Sequence, residues 1–498
     1  MKILFLDIDT LRPDHMSCYG YGRKTTPHMD AVAKEGVQFS NYYCSDAPCL
    51  PSRASLITGL FGIKNGVVGH GGTAADRVLS AGKRSFFDPV DENNLTNIFR
   101  RAGMYTASIS SFPERHSAWW FNAGFQEMYN EGHKGLESGE AVLPYALDWL
   151  DKNGTARNDW FLHVHFWDPH TPYRAPEAFG NPFEKDGFVE TGWINEEVLI
   201  KHKEHVGPHS ANELNMFDDR ESDRFPRNPG RIDDLHDVRR VIDGYDCGVA
   251  YTDYLVGKIF DRLKLLGIYD DVAIIITGDH GENLGELGLY AEHATADHPC
   301  CHIPFIIRWP GCIKNHEDEE LHYSLDLLPT VSELLGLPIV EEWDGESFAN
   351  TLLKGEKQGR ESLVISQMAH VCQRSARFDK WLYIRTYHDG FHLFDREMLF
   401  DLEADPYEQK DVKKEHPEIC AQGAKIILEW HDKAMMEGDQ LIDPLWTVMS
   451  EGGPFHTVGF LDKYCKRLEE TGRVQGAKEL RKRHGKKKQT VGFDADVL

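Results

Sequence analysis

The sequence predicts an α/β fold: a large, mostly parallel sheet covered by helices on both faces, plus a smaller C-terminal domain with an antiparallel sheet. Three observations carry that expectation. Short apolar runs alternate with segments of helical periodicity, as in a parallel sheet buried on both sides. Charged or metal-binding side chains follow the carboxyl ends of four such runs, where open α/β sheets bind ligands. Past about residue 370 the pattern turns to short strands separated by turns. The chain has 498 residues, 41% hydrophobic and 11% aromatic, which is enough for a substantial core and excludes a disordered or fibrous protein.

The first strand is read over residues 3–8 and ends in Asp9-Thr10. A second, over 105–109, leads through a short loop to Arg115-His116, and a third, over 160–166, ends in Asp168-Pro169-His170. Before the fourth, Val249, Leu255, Val256, Ile259, Phe260 and Leu263 recur at helical spacing until Gly267 stops the helix. Asp270-Asp271 then turns the chain into a strand over 272–277, which ends in Gly278-Asp279-His280-Gly281. Each of these end residues has an ordinary reading as a capping acid or surface histidine; four at one sheet edge point to a site. Residues 175–240, polar and interrupted by Pro226 and Pro229, read as an excursion over the sheet, a lid or specificity element. Residues 1–370 form the first domain and 371–475 the second, with strands over 380–386, 392–394 and 399–402, and 476–498 form a basic tail. There is no internal repeat.

A net charge of −25 argues against nucleic acid as a partner, because phosphate binding needs a basic footprint. A small anionic substrate is still admissible, since a few local cations and a metal outweigh a distant surface. The basic run from Arg481 to Lys488 reads as a solvated tail rather than a nucleic-acid or membrane arm. The N-terminal residues lack the pattern of a signal peptide. No apolar run approaches the roughly 20 residues needed to span a bilayer. Ten cysteines without regular spacing fit reduced thiols, so the expected location is cytoplasmic with no membrane association. Zinc is poorly supported: Cys44 and Cys49 lack a matching second pair, and vicinal Cys300-Cys301 is an awkward chelator.

The most informative stretch runs Cys49-Leu50-Pro51-Ser52-Arg53-Ala54-Ser55-Leu56-Ile57-Thr58-Gly59. Pro51 suits the first turn of a helix, which would run to about Leu60. Cys49 then sits at the helix N-terminus, where free backbone donors and the dipole favour an anion. Arg53, one turn on, can point a planar fork at the same place. The competing readings are a buried structural cysteine with Arg53 in an ion pair, and a thiolate nucleophile activated by the helix terminus. The latter lacks a neighbouring His-Asp relay.

Cys49 to Gly59 resembles the signature of the type I, formylglycine-dependent sulfatases, a branch of the alkaline phosphatase superfamily, and the likeness extends along nearly the whole chain. Asp9-Thr10-Leu11-Arg12-Pro13-Asp14-His15 is similar to the family's first metal segment. Trp167-Asp168-Pro169-His170-Thr171-Pro172-Tyr173 is similar to its substrate-histidine segment, and Thr277-Gly278-Asp279-His280-Gly281-Glu282 to its second metal segment. Leu399 to Pro406 resembles the closing motif of its small C-terminal domain. The resemblance implies that a formylglycine-generating maturation enzyme oxidises Cys49, and that one hydroxyl of the hydrated aldehyde attacks sulfur. The second hydroxyl then loses its proton and sulfate is expelled as the aldehyde reforms, so breakdown needs no attack by water. It implies one divalent ion, usually calcium, on Asp9, Asp279, His280 and residue 49, with magnesium or manganese compatible with that donor set. Arg53 would orient the diol and sulfate, and His170 would bind the ester oxygen or protonate the departing alcohol.

Three positions depart from the family pattern. Thr10 stands where a second acid or a glutamine often follows the first metal aspartate, and Asp7 shares a strand face with Asp9. Asp7 would either compensate as a ligand or take a hydrogen-bonded supporting role. Ser110 to His116 replaces the usual Gly-Lys-x-His, so His116 is assigned that catalytic role, with Arg115 as an alternative substrate-binding cation. His293 substitutes for the lysine expected after the second metal segment, as a substrate-binding residue. The implied substrate is a small sulfated compound, a sugar by preference, since aromatics such as Trp119, Trp120, Phe121, Trp167 and Tyr173 lie near the expected edge. Two alternatives stand beside the sulfatase reading. One is a phosphonate monoester or phosphodiester hydrolase of the same superfamily; the other is a silent binding protein with unmodified Cys49. A homo-oligomer is compatible with the sequence.

Overall fold

The computed structural model describes residues 1–79, 88–185, 193–204, 221–438 and 442–485. Its main sheet has eight strands in the spatial order His316–Asp318, Val37–Phe39, Phe305–Arg308, Val272–Thr277, Lys2–Ile8, Trp160–Phe166, Tyr105–Ile109 and Glu127–Tyr129. Lys2–Ile8 lies parallel to both neighbours, and the sheet stays parallel out to Glu127–Tyr129. Phe305–Arg308 alone runs antiparallel to the strands on either side. The fold class read from the sequence is borne out. Three of the four expected strands keep their bounds, and the first begins one residue earlier, at Lys2.

The period of two along Lys2–Ile8 divides the core. Leu4, Leu6 and Ile8 pack with Val142, Trp149, Val256 and Ile259, from the helices Gly139–Asn153 and Leu235–Leu265. Ile3 and Phe5 pack on the other face with Phe99, Phe161, Ile275 and Leu327. Asp7 and Asp9 continue the Ile3 and Phe5 face past the apolar part of the strand. Within the long helix, buried Asp253 accepts the free N–H groups of His28 and Met29 at 3.1 and 2.9 Å. It thereby caps the start of the helix Pro27–Glu35 from a neighbouring element.

The second sheet runs Glu397–Asp401, Trp381–His388, Cys372–Phe378, Ser362–Gln367 and Asp46–Ala47. Its first four strands pair antiparallel. The fifth comes from the segment just before Cys49 and pairs parallel, Ser366 with Asp46 and Gln367 with Ala47. The helix Pro417–Glu437 covers this sheet through Cys420 and Ile427 against Tyr383 and Leu399. The strand expected over 392–394 is absent. Phe391 and Leu393 have φ of 71° and 60°, and left-handed backbone cannot continue a ladder.

In the segment 175–240, the helix Glu196–His202 buries Leu199 in the first core, and Trp193 stacks on Tyr407 at 5.1 Å. Residues 186–192 and 205–220 of that expected lid lie outside the described residues. The basic run opens as the end of a helix, Val474–His484, rather than as a solvated tail. Leu480 is buried against Tyr464 and Leu468, and Arg483 and His484 both bind Asp389, at 2.9 and 2.8 Å. Residues 486–498 lie outside the described residues. No helix among the described residues is long and apolar enough to cross a membrane.

Candidate active site

Parallel register places the acids. Asp7 stands opposite His165 on one side and Thr277 on the other. The residues just beyond each strand therefore emerge at one edge, Asp9 directly after Lys2–Ile8 and Asp279-His280 after Gly278 at the end of Val272–Thr277. The helix Cys49–Thr58 points its N-terminus at this edge, with Cys49 as its first residue. Two contacts seat it. Ser52 Oγ donates to the Asp279 carbonyl at 2.6 Å. At the far end Gly59, at φ +70°, lies so close to Leu328 that a Cβ would sit 2.8 Å from that side chain.

The donor atoms of Asp9, Cys49, Asp279 and His280 all lie within 4.8 Å of one another and are buried. Cys49 Sγ is 3.1 Å from His280 Nε2. His280 Nδ1 faces the Gly281 carbonyl at 2.7 Å. Nδ1 therefore carries the proton and the Nε2 lone pair faces the cluster, the arrangement of a metal-binding imidazole. Asp9 Oδ1 is buried with no hydrogen-bond partner and lies 3.9 Å from both His170 Nε2 and His280 Nε2. An orphaned carboxylate oxygen, a second carboxylate and a bare imidazole nitrogen make a donor set that fits a hard divalent cation.

Arg53 uses all its donors on neighbours. Nε and Nη2 grip Asp7 at 2.9 and 3.0 Å, Nη2 also meets His165 Nε2 at 2.8 Å, and Nη1 bonds Asp9 at 3.1 Å and Asp279. The guanidinium expected to offer a free fork to an oxyanion is instead a clamp. The physical reason is that three buried carboxylates at one strand edge need a counter-charge. Asp7 takes the supporting role foreseen for it, since its oxygens are bound by Arg53 and His163.

Electrostatics separate the two acids. Burial alone would raise Asp9, but Arg53, His170, His165 and His280 outweigh it and hold the carboxyl well below its usual range. Burial raises Asp279 above the ordinary carboxylate value; Arg53 opposes this and Asp9 adds to it. Burial, then Asp9 and Asp279, push the Cys49 thiol well above its ordinary value. The unmodified side chain is therefore a poor source of thiolate.

His170 Nδ1 faces the Thr171 carbonyl, leaving Nε2 toward the cluster. Nitrogens of His170 and His293 lie within 4.8 Å of each other and of Cys49 Sγ. Burial holds both imidazoles well below the usual histidine range. His116 is farther out, with Nε2 buried and unpartnered and its ring 5.0 Å from that of His70. Arg115 is exposed, lies over Trp167 at 5.2 Å and donates to the Lys134 carbonyl at 3.1 Å. Sequence reasoning missed three supporting residues. His163 and His165 share the Asp7 face and are fixed from behind by Ser108 and Ser110, each at 2.9 Å; their spacing of two within an apolar strand was the available signal. Glu282 accepts Thr171 N–H at 3.2 Å and Tyr173 O–H at 2.7 Å, tying the His170 loop to the second acidic segment.

Comparison with known proteins adds independent findings. A family model described as Sulfatase matches residues 2–337, and one described as N-sulphoglucosamine sulphohydrolase, C-terminal, matches 285–433. The chain is 27% identical to a choline-sulfatase of Rhizobium meliloti, over 77% of this chain and 76% of the relative. It is 23% identical to an N-acetylgalactosamine-6-O-sulfatase of Bacteroides thetaiotaomicron, over 86% and 92%. The solved structure of BT4656 in complex with its substrate D-glucosamine-2-N,6-O-disulfate superposes with a TM-score of 0.69 and 19% identity, covering 89% of this chain and 99% of that one.

Proposed function

Since the chain belongs to the sulfatase family and is a sulfuric ester hydrolase, we propose that it cleaves small sulfated carbohydrates with a nucleophile made from Cys49 by oxidation to formylglycine. The observation that carries this reading is the convergence of Cys49 Sγ with Asp9, Asp279 and His280 at a helix N-terminus. One hydroxyl of the hydrated aldehyde would attack sulfur and displace the alcohol; loss of the second hydroxyl's proton would then reform the aldehyde as the carbon–oxygen bond to sulfate breaks and sulfate leaves, without a separate attack by water. Asp9, Asp279 and His280 would hold a divalent ion, whose charge would neutralise the sulfate oxygens and acidify the hydroxyl.

The chain's own residues do the rest. The N-terminal amides of Cys49–Thr58 face an anion at residue 49. Arg53 holds Asp9 and Asp279 in place and leaves Asp9 Oδ1 without a partner beside the cluster. His170 presents an unprotonated Nε2 beside Cys49; it accepts the hydroxyl proton and returns it to the departing alcohol. His293 and His116 bind the substrate's oxygens nearby. Carbohydrate as the substrate class is supported by the N-acetylgalactosamine-6-O-sulfatase relative.

The deciding experiment uses enzyme coexpressed with a formylglycine-generating system. Mass of the peptide containing residue 49 reports replacement of sulfur by oxygen. Turnover of a sulfated sugar is compared with that of an isosteric phosphodiester. Sulfur retained at residue 49 in active enzyme, or faster turnover of the phosphodiester, would overturn the reading.

A further inference from the structure

A second group of histidines lies one imidazole beyond the site. His70 follows the nucleophile helix, His370 joins the strands Ser362–Gln367 and Cys372–Phe378, and His456 sits on the turn Phe455–Thr457. Nitrogens of all three lie within 4.8 Å of one another. Both nitrogens of His370, which is 3% exposed, and Nε2 of His70 are buried without a hydrogen-bond partner. His70 Nδ1 and His456 Nε2 share a bond of 3.1 Å.

Two glycines allow the loops to meet. A Cβ on Gly71 would lie 2.2 Å from the Phe455 ring, and one on Gly390 would lie 2.4 Å from the His370 carbonyl. The group is continuous with the catalytic set. The His370 ring is 5.2 Å from that of His293, and the His70 ring is 5.0 Å from that of His116.

Two facts decide what such a group takes. A cation fits poorly, because the His370 and His456 rings stack at 4.1 Å and 16°. Their in-plane lone pairs run side by side and do not converge on one point. After burial, which lowers all three and brings His456 to about 4, the largest charges acting on them come from other imidazoles and from Arg115.

We propose that His70, His370 and His456 form a subsite for a second oxyanion, a sulfate or a carboxylate, carried by the same substrate molecule whose sulfate ester meets residue 49. The inference rests on the sulfatase reading and deepens it: the substrate is a sulfated sugar with at least two anionic groups. Imidazole N–H groups without partners supply the donors, and an approaching anion favours their protonation.

Binding to Cys49→Ala protein, measured calorimetrically, tests this without requiring turnover. The probes are N-acetylglucosamine 6-sulfate, glucosamine 2-N,6-O-disulfate and glucuronic acid 2-sulfate. At least one doubly anionic probe should bind about tenfold tighter than the singly anionic one, the equivalent of one charge-assisted hydrogen bond. Which of the two does so distinguishes sulfate from carboxylate. Adding His370→Ala, or His456→Ala on its partly open turn, should abolish that advantage. Equal affinity for all three probes, or an advantage that persists in both variants, overturns the subsite. The turnover assay with wild-type enzyme judges the sulfatase reading separately.

Discussion

His280 Nε2 lies 3.1 Å from Cys49 Sγ, and the opposite ring nitrogen is fixed on the Gly281 carbonyl. The imidazole is thus oriented from behind and offers a lone pair at the point where the helix Cys49–Thr58 begins. The first two predictions follow from that pairing.

Cys49→Ala should lower kcat on a sulfate ester by about a thousandfold or more, the scale seen when a nucleophile is deleted. Cys49→Ser should do nearly the same, since a serine hydroxyl has no geminal partner to expel sulfate. Thermal unfolding should show the fold intact, because the change removes little volume. Wild-type-like kcat in either variant would exclude residue 49 as the nucleophile.

A chelator should suppress turnover, and calcium or another divalent ion should restore it. Asp9→Asn or His280→Ala should weaken ion binding by about 10- to 100-fold or more, read by titration calorimetry. An enzyme indifferent to prolonged chelation would rule out the metal.

Arg53→Ala should cost about 3–5 kcal/mol of stability, because removing one partner of a buried ionic group leaves the others uncompensated. Here those others are Asp7, Asp9 and Asp279. Urea unfolding measures the loss. Arg53→Lys restores the charge but not the fork and should recover only part of it. A loss within error for Arg53→Ala would mean that the clamp holds nothing.

Asp253 gives a pH-dependent prediction away from the site. Burial raises its carboxyl from 3.8 to about 7, against the opposing pull of the Met29 and His28 N–H groups. A raised acid binds its proton more tightly folded than unfolded. Its contribution is complete below the unfolded value and is lost as pH rises through about 7. The urea midpoint of the wild type should therefore fall between about pH 4 and pH 7 by more than that of Asp253→Asn. Parallel profiles would show that Asp253 does not titrate across this range.

The parts of the site legible in the sequence were those that local rules determine. Asp9, Asp279 and His280 follow short, mostly apolar runs, so strand ends and ligand edge were found together. Cys49 and Arg53 came from a short specific motif on a helix whose C-terminal glycine is at φ +70°. What stayed hidden depends on distant partners. His163 and His165 looked like strand interior until register set them beside Asp7. His70, His370 and His456 come from three separate segments, and no local spacing relates them. The free fork expected of Arg53 failed because pairwise motif reasoning does not count how many buried carboxylates one guanidinium must satisfy.

The two-residue strand Asp46–Ala47 has a temporal consequence. Its partners Ser366 and Gln367 are synthesised long after Cys49 has left the ribosome, and contacts of such sequence separation form slowly. Until they form, the segment entering the helix Cys49–Thr58 has no edge to dock on, and residue 49 stays open to solvent. Completion of that pairing helps close the window, leaving Cys49 1% exposed. Pausing translation before Ser362 should therefore lengthen the interval in which the side chain can be converted.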